Sequence, residues 1–238
     1  MRIRPRQRRA PADTEGASAE LGRQAQRIVE LDEIDAQISR LFALVADGLA
    51  AATVAFLSGD TIAAGKVLRA ELAIDELHQG TEDLVGRQLR SVSDGIDPDG
   101  LARLVLALRI IPELERSGDL VEHIAARASA HMLSQLPATV LDLIAHMSSV
   151  AVDLWRHAAG SFGGVDDSST AELRLLDDVL DDLHVQLCDE LASLDLPVAV
   201  AIEMGLVARF YERLGDHAVN VARRVDADAH RSLELQVG

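Results

Sequence analysis

The residues of this sequence best suited to do chemistry are four pairs of carboxylates. Residues four positions apart lie on one face of an α-helix, where two negative charges repel each other unless a cation offsets them. Carboxylate oxygens are ligands of hard cations, so facing pairs on two helices predict a site for Mg, Mn, Ca or iron ions. The pairs are Glu71 with Asp75, Glu115 with Asp119, Asp177 with Asp181, and Glu212 with Asp216.

The pairs recur because the sequence contains an internal duplication. Ile74-Asp-Glu-Leu-His78 returns 106 residues later as Leu180-Asp-Asp-Leu-His184, and Glu115-Arg-Ser-Gly-Asp119 returns 97 residues later as Glu212-Arg-Leu-Gly-Asp216. A longer loop before the third helix explains the difference between the two offsets. This recurrence favours a metal site over an ordinary acidic helix surface. Gly118 and Gly215 support it, because glycine inside a helix permits close approach of a ligand or another backbone.

Two histidines flank the acidic pairs. His78 and His184 lie three residues after Asp75 and Asp181, the spacing of the acid-x-x-His pairs in di-iron carboxylate bundles. Two interpretations stay open: direct ligation, or helix-face histidines that hydrogen-bond to the ligands.

Composition and periodicity predict an all-α fold of two pseudo-symmetric three-helix bundles. Hydrophobic residues make up 48% of the 238-residue chain but aromatic residues only 3%, which fits packed helices better than a sheet. Apolar residues at helical spacing predict six helices, the third beginning near residue 98 and the fourth at Pro137. The predicted organisation is a flexible basic tail (1–17), a first repeat (18–134), a second repeat (135–230) and a C-terminal tail (231–238).

Charge and cysteine content exclude several classes of function. A net charge of -16 argues against nucleic acid as a direct partner, because binding to phosphate backbones depends on Lys and Arg. It also makes capture of a free anion unfavourable without a bridging metal ion. Cys188 is the only cysteine, so neither an intramolecular disulfide nor a thiolate zinc cluster can form.

Motifs that the sequence lacks indicate where the protein is located and speak against a catalytic role. The Arg-rich start lacks an apolar segment behind it, and the most apolar window, residues 41–59, has the pattern of a buried helix. We therefore expect a soluble cytoplasmic protein without a membrane span. The sequence has no Gly-rich phosphate loop, GxSxG elbow or HExxH motif, so we do not expect an enzyme.

The duplicated acidic motifs resemble the PhoU family, whose hallmark is an ERxGDxxxNIA segment that closes each of two three-helix repeats. Phe210-Tyr-Glu-Arg-Leu-Gly-Asp-His-Ala-Val-Asn-Val-Ala222 is similar to the second copy and Leu114-Glu-Arg-Ser-Gly-Asp-Leu-Val-Glu-His-Ile-Ala125 to the first. The likeness covers about residues 20–228, and actinobacterial members are the most similar. Two parts of the sequence depart from the family pattern. Ser117 and Glu122-His123 differ from it in the first motif, and residues 88–100 replace the QPxAxDLR segment of the family.

The resemblance implies metal ions held by the eight carboxylates, with Mg, Mn, Zn or Fe as the open identities. It further implies a frequent homodimer and negative control of phosphate uptake and the phosphate-starvation response. The partners would be the ATPase of a phosphate transporter and a sensor histidine kinase. Two alternatives remain: a ferritin-like di-iron oxidoreductase, favoured by the acid-x-x-His pairs, and a metal-free helical adaptor with the carboxylates as solvated faces.

Overall fold

The computed structural model describes residues 12–90, 96–164 and 170–237, and it contains helices and no strands within these ranges. Side chains are described for most of these residues, although not for 12–20, 23, 71, 170 and 230–237. The helices are α1 (Ala12–Ser58), α2 (Thr61–Arg90), α3 (Pro98–Ala125), α4 (Ala130–Leu133), α5 (Ala138–Gly163), α6 (Thr170–Ser193) and α7 (Val198–Val237). The predicted all-α class is confirmed.

Local signals in the sequence explain several helix ends. Helix α3 begins where the sequence predicts, because the Asp97 side chain accepts a hydrogen bond from Gly100 N at 2.6 Å and Pro98 takes the first helical position. At the start of α2, Asp60 Oδ1 accepts hydrogen bonds from Ile62 N and Ala63 N, both at 2.9 Å. Helix α5 ends at Gly164, which has a φ of +64°.

Three elements differ from the sequence-based expectation. Helix α1 begins at Ala12, inside the segment predicted as a flexible tail, because residues 12–20 are rich in Ala and Glu, which extend an existing helix at little cost. Residues 1–11 lie outside the described part. Helix α7 runs to Val237, through most of the predicted C-terminal tail, and the short helix α4 joins the repeats where no separate element is predicted.

Each repeat is a three-helix bundle, and the two bundles share a central seam. Helices α1, α2 and α3 pack together, as do α5, α6 and α7. Across the seam α1 packs against α5, and α3 packs against α7. Helices α1 and α5 run antiparallel, since Phe42 near the middle of α1 contacts Phe162 at the end of α5 while Thr53 near the end of α1 contacts Ser148 in the first half of α5. Helices α3 and α7 do the same, since Arg127 just after α3 pairs with Glu203 near the start of α7 while Arg109 earlier in α3 contacts Arg224 further along α7. The seam therefore has approximate two-fold symmetry.

The seam contains the largest buried side chains. The ring of Phe42 lies 6.0 Å from that of Trp155 and 5.6 Å from that of Phe162, and Trp155 is fully buried. These helices also include Gln24–Ser58 and Ala138–Gly163, two stretches long and apolar enough to cross a membrane by length and composition alone. Half of the apolar window in each is buried against the rest of the protein.

A buried hydroxyl network ties the two repeats together in the same region. Tyr211 on α7 is fully buried, and its hydroxyl oxygen lies 2.7 Å from Thr53 Oγ1 on α1. Ser148 on α5 donates to the same Thr53 oxygen at 2.8 Å, and Thr53 donates to the Leu49 carbonyl. Because Thr53 already donates its proton to the Leu49 carbonyl, the Tyr211 hydroxyl must donate its own proton to Thr53 Oγ1. Burial raises the pKa of Tyr211, so the phenol stays neutral.

Replacing Tyr211 by phenylalanine tests this network. We expect Tyr211→Phe to lower the free energy of unfolding by about 1 kcal/mol, because one buried hydrogen bond is lost while the ring remains. Urea denaturation measures the change. A double-mutant cycle with Ser148→Ala should show non-additive losses, since both hydroxyls bond to Thr53. Additive losses would contradict a shared network.

Candidate metal centres

The second repeat brings its four predicted carboxylates to one contact between helices. Asp177 and Asp181 lie one turn apart on α6, Glu212 and Asp216 lie one turn apart on α7, and the two helices pack against each other. Burial, followed by the charges of Asp181 and Asp216, raises the pKa of Asp177 to about 6. The carboxylates are therefore close enough for their charges to repel one another, in addition to the effect of burial.

Gly215 permits this close approach. It is buried, and a Cβ atom added there would lie 2.6 Å from Leu180 Cδ2 and 3.1 Å from Asp177 Oδ1. Any larger residue would push both side chains away from α7. Gly215 thus lets the Asp177 carboxylate lie directly against the backbone of the facing helix, as the sequence predicts for such a glycine.

Glu212 carries a carboxylate oxygen without a hydrogen-bond partner. Its Oε1 atom forms an ion pair with Arg209, but its Oε2 atom is shielded from solvent and unbonded among the described residues. Burial and the charge of Asp216 raise the pKa of Glu212, although Arg209 and His184 act in the opposite direction. A buried carboxylate oxygen without a partner is costly, and a cation would satisfy it.

Asp181 and His184 complete the surroundings. Burial and Asp216 raise the pKa of Asp181, while the charge of His184 lowers it. The His184 Nε2 atom lies 3.8 Å from Cys188 Sγ, so the contact seen for its ring is with the thiol. Direct ligation by His184 stays a prediction.

The four carboxylates of the second repeat are of the type that binds a hard cation, but their oxygens do not surround a common point. Four carboxylates of like charge, one with a bare oxygen, form the kind of site that a divalent or trivalent ion neutralises. Among the residues the structure describes, no three Asp, Glu, His or Cys side chains are already arranged as a coordination shell. Side-chain rotation would have to bring the oxygens together around an ion.

The first repeat is less well defined. Asp75 and Asp119 are exposed and Glu115 is partly buried, on helices α2 and α3 that pack against each other. The Glu71 side chain lies outside the described part of the chain. His78 lies near this set and faces Glu82, with 3.5 Å between His78 Nε2 and Glu82 Oε1. A site formed by the first four carboxylates therefore stays a prediction.

The structure also contains a charged cluster that the sequence analysis missed. Glu113 on α3 is buried between the repeats, and its Oε2 atom lies 2.5 Å from His217 Nδ1 on α7. Its Oε1 atom lies 2.9 Å from Arg224 Nη2. Glu113 and His217 adjoin the two acidic motifs, but they occupy different positions in the repeats, so comparing the copies does not single them out.

Comparison with known proteins agrees with this architecture. The family model described as "PhoU domain" matches residues 38–128 and 144–225, which together are most of the chain and correspond to one match in each repeat. The chain belongs to the PhoU family.

Named PhoU proteins match over most of their length. The "Phosphate-specific transport system accessory protein PhoU homolog 2" of Mycobacterium tuberculosis is 32% identical over 203 residues, covering 82% of this chain and 92% of the relative. The "Phosphate-specific transport system accessory protein PhoU homolog 1" of Mycobacterium leprae is 31% identical over 203 residues, and the match covers 82% of this chain and 89% of the relative. The predicted likeness to actinobacterial members agrees with these matches.

Solved PhoU structures share the fold. The crystal structure of PhoU from Pseudomonas aeruginosa superimposes with a TM-score of 0.76 at 19% identity, covering 85% of this chain and 98% of the other. The regulatory protein PhoU from Streptococcus pneumoniae gives a TM-score of 0.69 at 19% identity, with coverages of 84% and 94%. The duplicated three-helix architecture is therefore that of PhoU.

Proposed function

We propose that this chain is a regulatory accessory protein of phosphate transport, acting as a metal-binding scaffold and not as an enzyme. The names of its relatives support the role in transport, since several are phosphate-specific transport system accessory proteins. One structural neighbour is named as a regulatory protein of the phosphate transport system. The role we propose is negative control of phosphate uptake and of the phosphate-starvation response.

The observation that carries the metal-binding part is the uncompensated charge between α6 and α7. Asp177, Asp181 and Glu212 all have raised pKa values, and Glu212 Oε2 has no partner among the described residues. A bound cation would supply positive charge that offsets this repulsion and links α6 to α7. Metal occupancy would then alter how rigidly the second bundle presents its surface.

The proposed setting is the cytoplasm, with a homodimer as the proposed assembly. The proposed partners are the ATPase of the phosphate transporter and a sensor histidine kinase. The acidic surface, with a net charge of -16, is suited to basic surfaces on such partners. Signalling would proceed through changed contacts, so no covalent step is required of this chain.

The decisive variant is Glu212→Gln with Asp216→Asn, which removes two charges from the second site. We expect deletion of the gene to derepress a phosphate-starvation reporter in phosphate-rich medium, and we expect this double variant to fail to restore repression. The matched control is Glu76→Gln with Asp142→Asn, because both of these acids are exposed and the same two types of change are made. The control should restore repression fully.

Metal content separates the two parts of the proposal. Purified wild-type protein and the control should retain a metal ion through gel filtration, measured by elemental analysis, and the Glu212→Gln, Asp216→Asn variant should retain less. A reporter that stays repressed after deletion, in a host without a second copy, would rule out phosphate control. A double variant that restores repression and keeps its metal would rule out the second site.

A further inference from the structure

A basic groove lies between α3 and α7, and none of the eight paired carboxylates lines it. Its lining consists of Arg109, Pro112, Glu113, Arg116 and Arg224, and its volume is about 380 Å³. Three guanidinium groups therefore surround a single carboxylate in a protein whose net charge is -16. We call this site the basic groove.

Arg224 is held in position at one side of the basic groove. Its Nη2 atom lies 2.9 Å from Glu113 Oε1, and its Nη1 atom donates a hydrogen bond to the backbone carbonyl of Arg109. The side chain remains 36% exposed, so one edge of the guanidinium still faces the groove or solvent. A guanidinium fixed in this way loses less conformational entropy when it binds a ligand.

The other two arginines are held less firmly, since Arg116 forms only a long ion pair with Glu113. Arg116 Nη1 lies 3.8 Å from Glu113 Oε1, too far for a hydrogen bond, and its side chain is 59% exposed. Arg109 is exposed, and its guanidinium forms no ion pair with any residue in the described ranges. Both side chains can therefore turn toward a ligand without breaking an existing bond.

The charge of the basic groove is positive overall. The Glu113 carboxylate contacts His217 through Oε2 and Arg224 through Oε1, and it contributes one negative charge. Three arginines against one carboxylate leave a surplus of two positive charges in the lining.

The duplicated half of the molecule provides an internal comparison. The offset of 97 residues places Phe210 where the first repeat has Glu113, and it pairs Arg127 with Arg224. Arg127 lies over the Phe210 ring at 4.8 Å and bonds to Glu203 at 2.7 Å. The counterparts of Pro112 and Arg116 are Arg209 and Arg213, so the equivalent surface also has three arginines. Two of them are committed to separate carboxylates, since Arg127 pairs with Glu203 and Arg209 pairs with Glu212. In the basic groove a single carboxylate, Glu113, faces all three arginines.

We propose that the basic groove binds a small, doubly charged anion of the phosphate type, free in solution. Guanidinium groups match the oxygen geometry of phosphate and form charge-assisted hydrogen bonds with it. A dianion balances the surplus of two charges, and the volume suits a small molecule. The net charge of -16 disfavours extended polyanions such as nucleic acid. The site differs from the acidic pairs and does not depend on bound metal.

Calorimetric titration with inorganic phosphate tests the proposal at constant ionic strength and in the presence of a chelator. The chelator removes any contribution from metal ions at the acidic pairs. Wild-type protein should bind one phosphate per chain, and Arg109→Gln with Arg116→Gln should weaken binding at least about tenfold, since two charge-assisted hydrogen bonds are lost. Both side chains are exposed, so circular dichroism should show an unchanged fold.

The control variant is Arg40→Gln with Arg213→Gln. Both arginines are exposed, and Arg213 is the counterpart of Arg116 in the second repeat. The control removes the same charge from the protein as a whole and should leave phosphate affinity unchanged. Equal losses in the two variants would overturn the proposal, as would no saturable binding to the wild type. Binding only to vesicles that contain phosphatidic acid would overturn the assignment to a free anion.

Discussion

Replacing Gly59 by alanine is expected to lower the free energy of unfolding by about 3 kcal/mol or more, because two costs add at this position. Gly59 has a φ of +66°, a conformation that disfavours any residue with a Cβ atom. The added Cβ would also lie 2.7 Å from Ala130 Cα and 2.8 Å from Ala130 N. Those are backbone atoms of α4, so relief requires movement of the segment that joins the two repeats.

Gly164 is the matched control for this prediction. It has nearly the same φ, +64°, but an added Cβ would meet nothing within 4 Å. Gly164→Ala should therefore lower the free energy of unfolding by only about 1 to 2 kcal/mol, the cost of the positive φ alone. Urea denaturation of the two variants isolates the contribution of the contact with α4. Equal losses would show that the turn at Gly59 does not depend on close packing.

Replacing Asp177 by asparagine is expected to change how stability depends on pH. The folded protein holds the Asp177 proton more tightly than the unfolded chain does, since the pKa rises from 3.8 to about 6. The protonated carboxyl therefore contributes stability that is complete below about pH 4 and is lost as the pH rises through about 6. A pKa shift of this size contributes at most about 3 kcal/mol to the free energy of unfolding. Solvent screening of this partly buried group reduces the contribution to about 1 to 2 kcal/mol.

Urea denaturation in the presence of a chelator measures this effect. Asp177→Asn should be more stable than the wild type at about pH 7, with the advantage vanishing near pH 4, because asparagine does not titrate. Asp142→Asn is the control, since Asp142 is an exposed acid on α5. A wild-type pH profile that persists in Asp177→Asn would show that the charges at this helix contact do not repel as described.

The fold was predictable because the chain repeats simple local signals. Apolar residues at helical spacing, Asp97 before Pro98, and Pro137 before α5 locate helices within a few residues. The true start of α1 and end of α7 escaped prediction because polar helix formers without an apolar pattern resemble a tail. Such segments become helical by extending a helix that is already packed.

The meeting of the second set of carboxylates was predictable for a similar reason. Spacing of four gives a shared helix face, and duplication indicates that two such faces meet, so Asp177 and Gly215 were expected at one helix contact, where the structure has them. Metal binding at this contact stays a prediction. The basic groove was not predictable in this way. Arg224 and Glu113 are 111 residues apart in sequence, and their meeting depends on the antiparallel packing of α3 and α7.

The approximate two-fold axis along the seam has an evolutionary consequence. A single three-helix unit that paired with an identical copy would have had every seam residue twice, and any substitution would have altered both sides together. Joining the two units in one chain removed that constraint. One of two equivalent arginines, Arg127, could then pair with Glu203, while its counterpart Arg224 paired with Glu113 beside His217. Gene fusion thus allowed one ancestral surface to become two different ones within the same molecule.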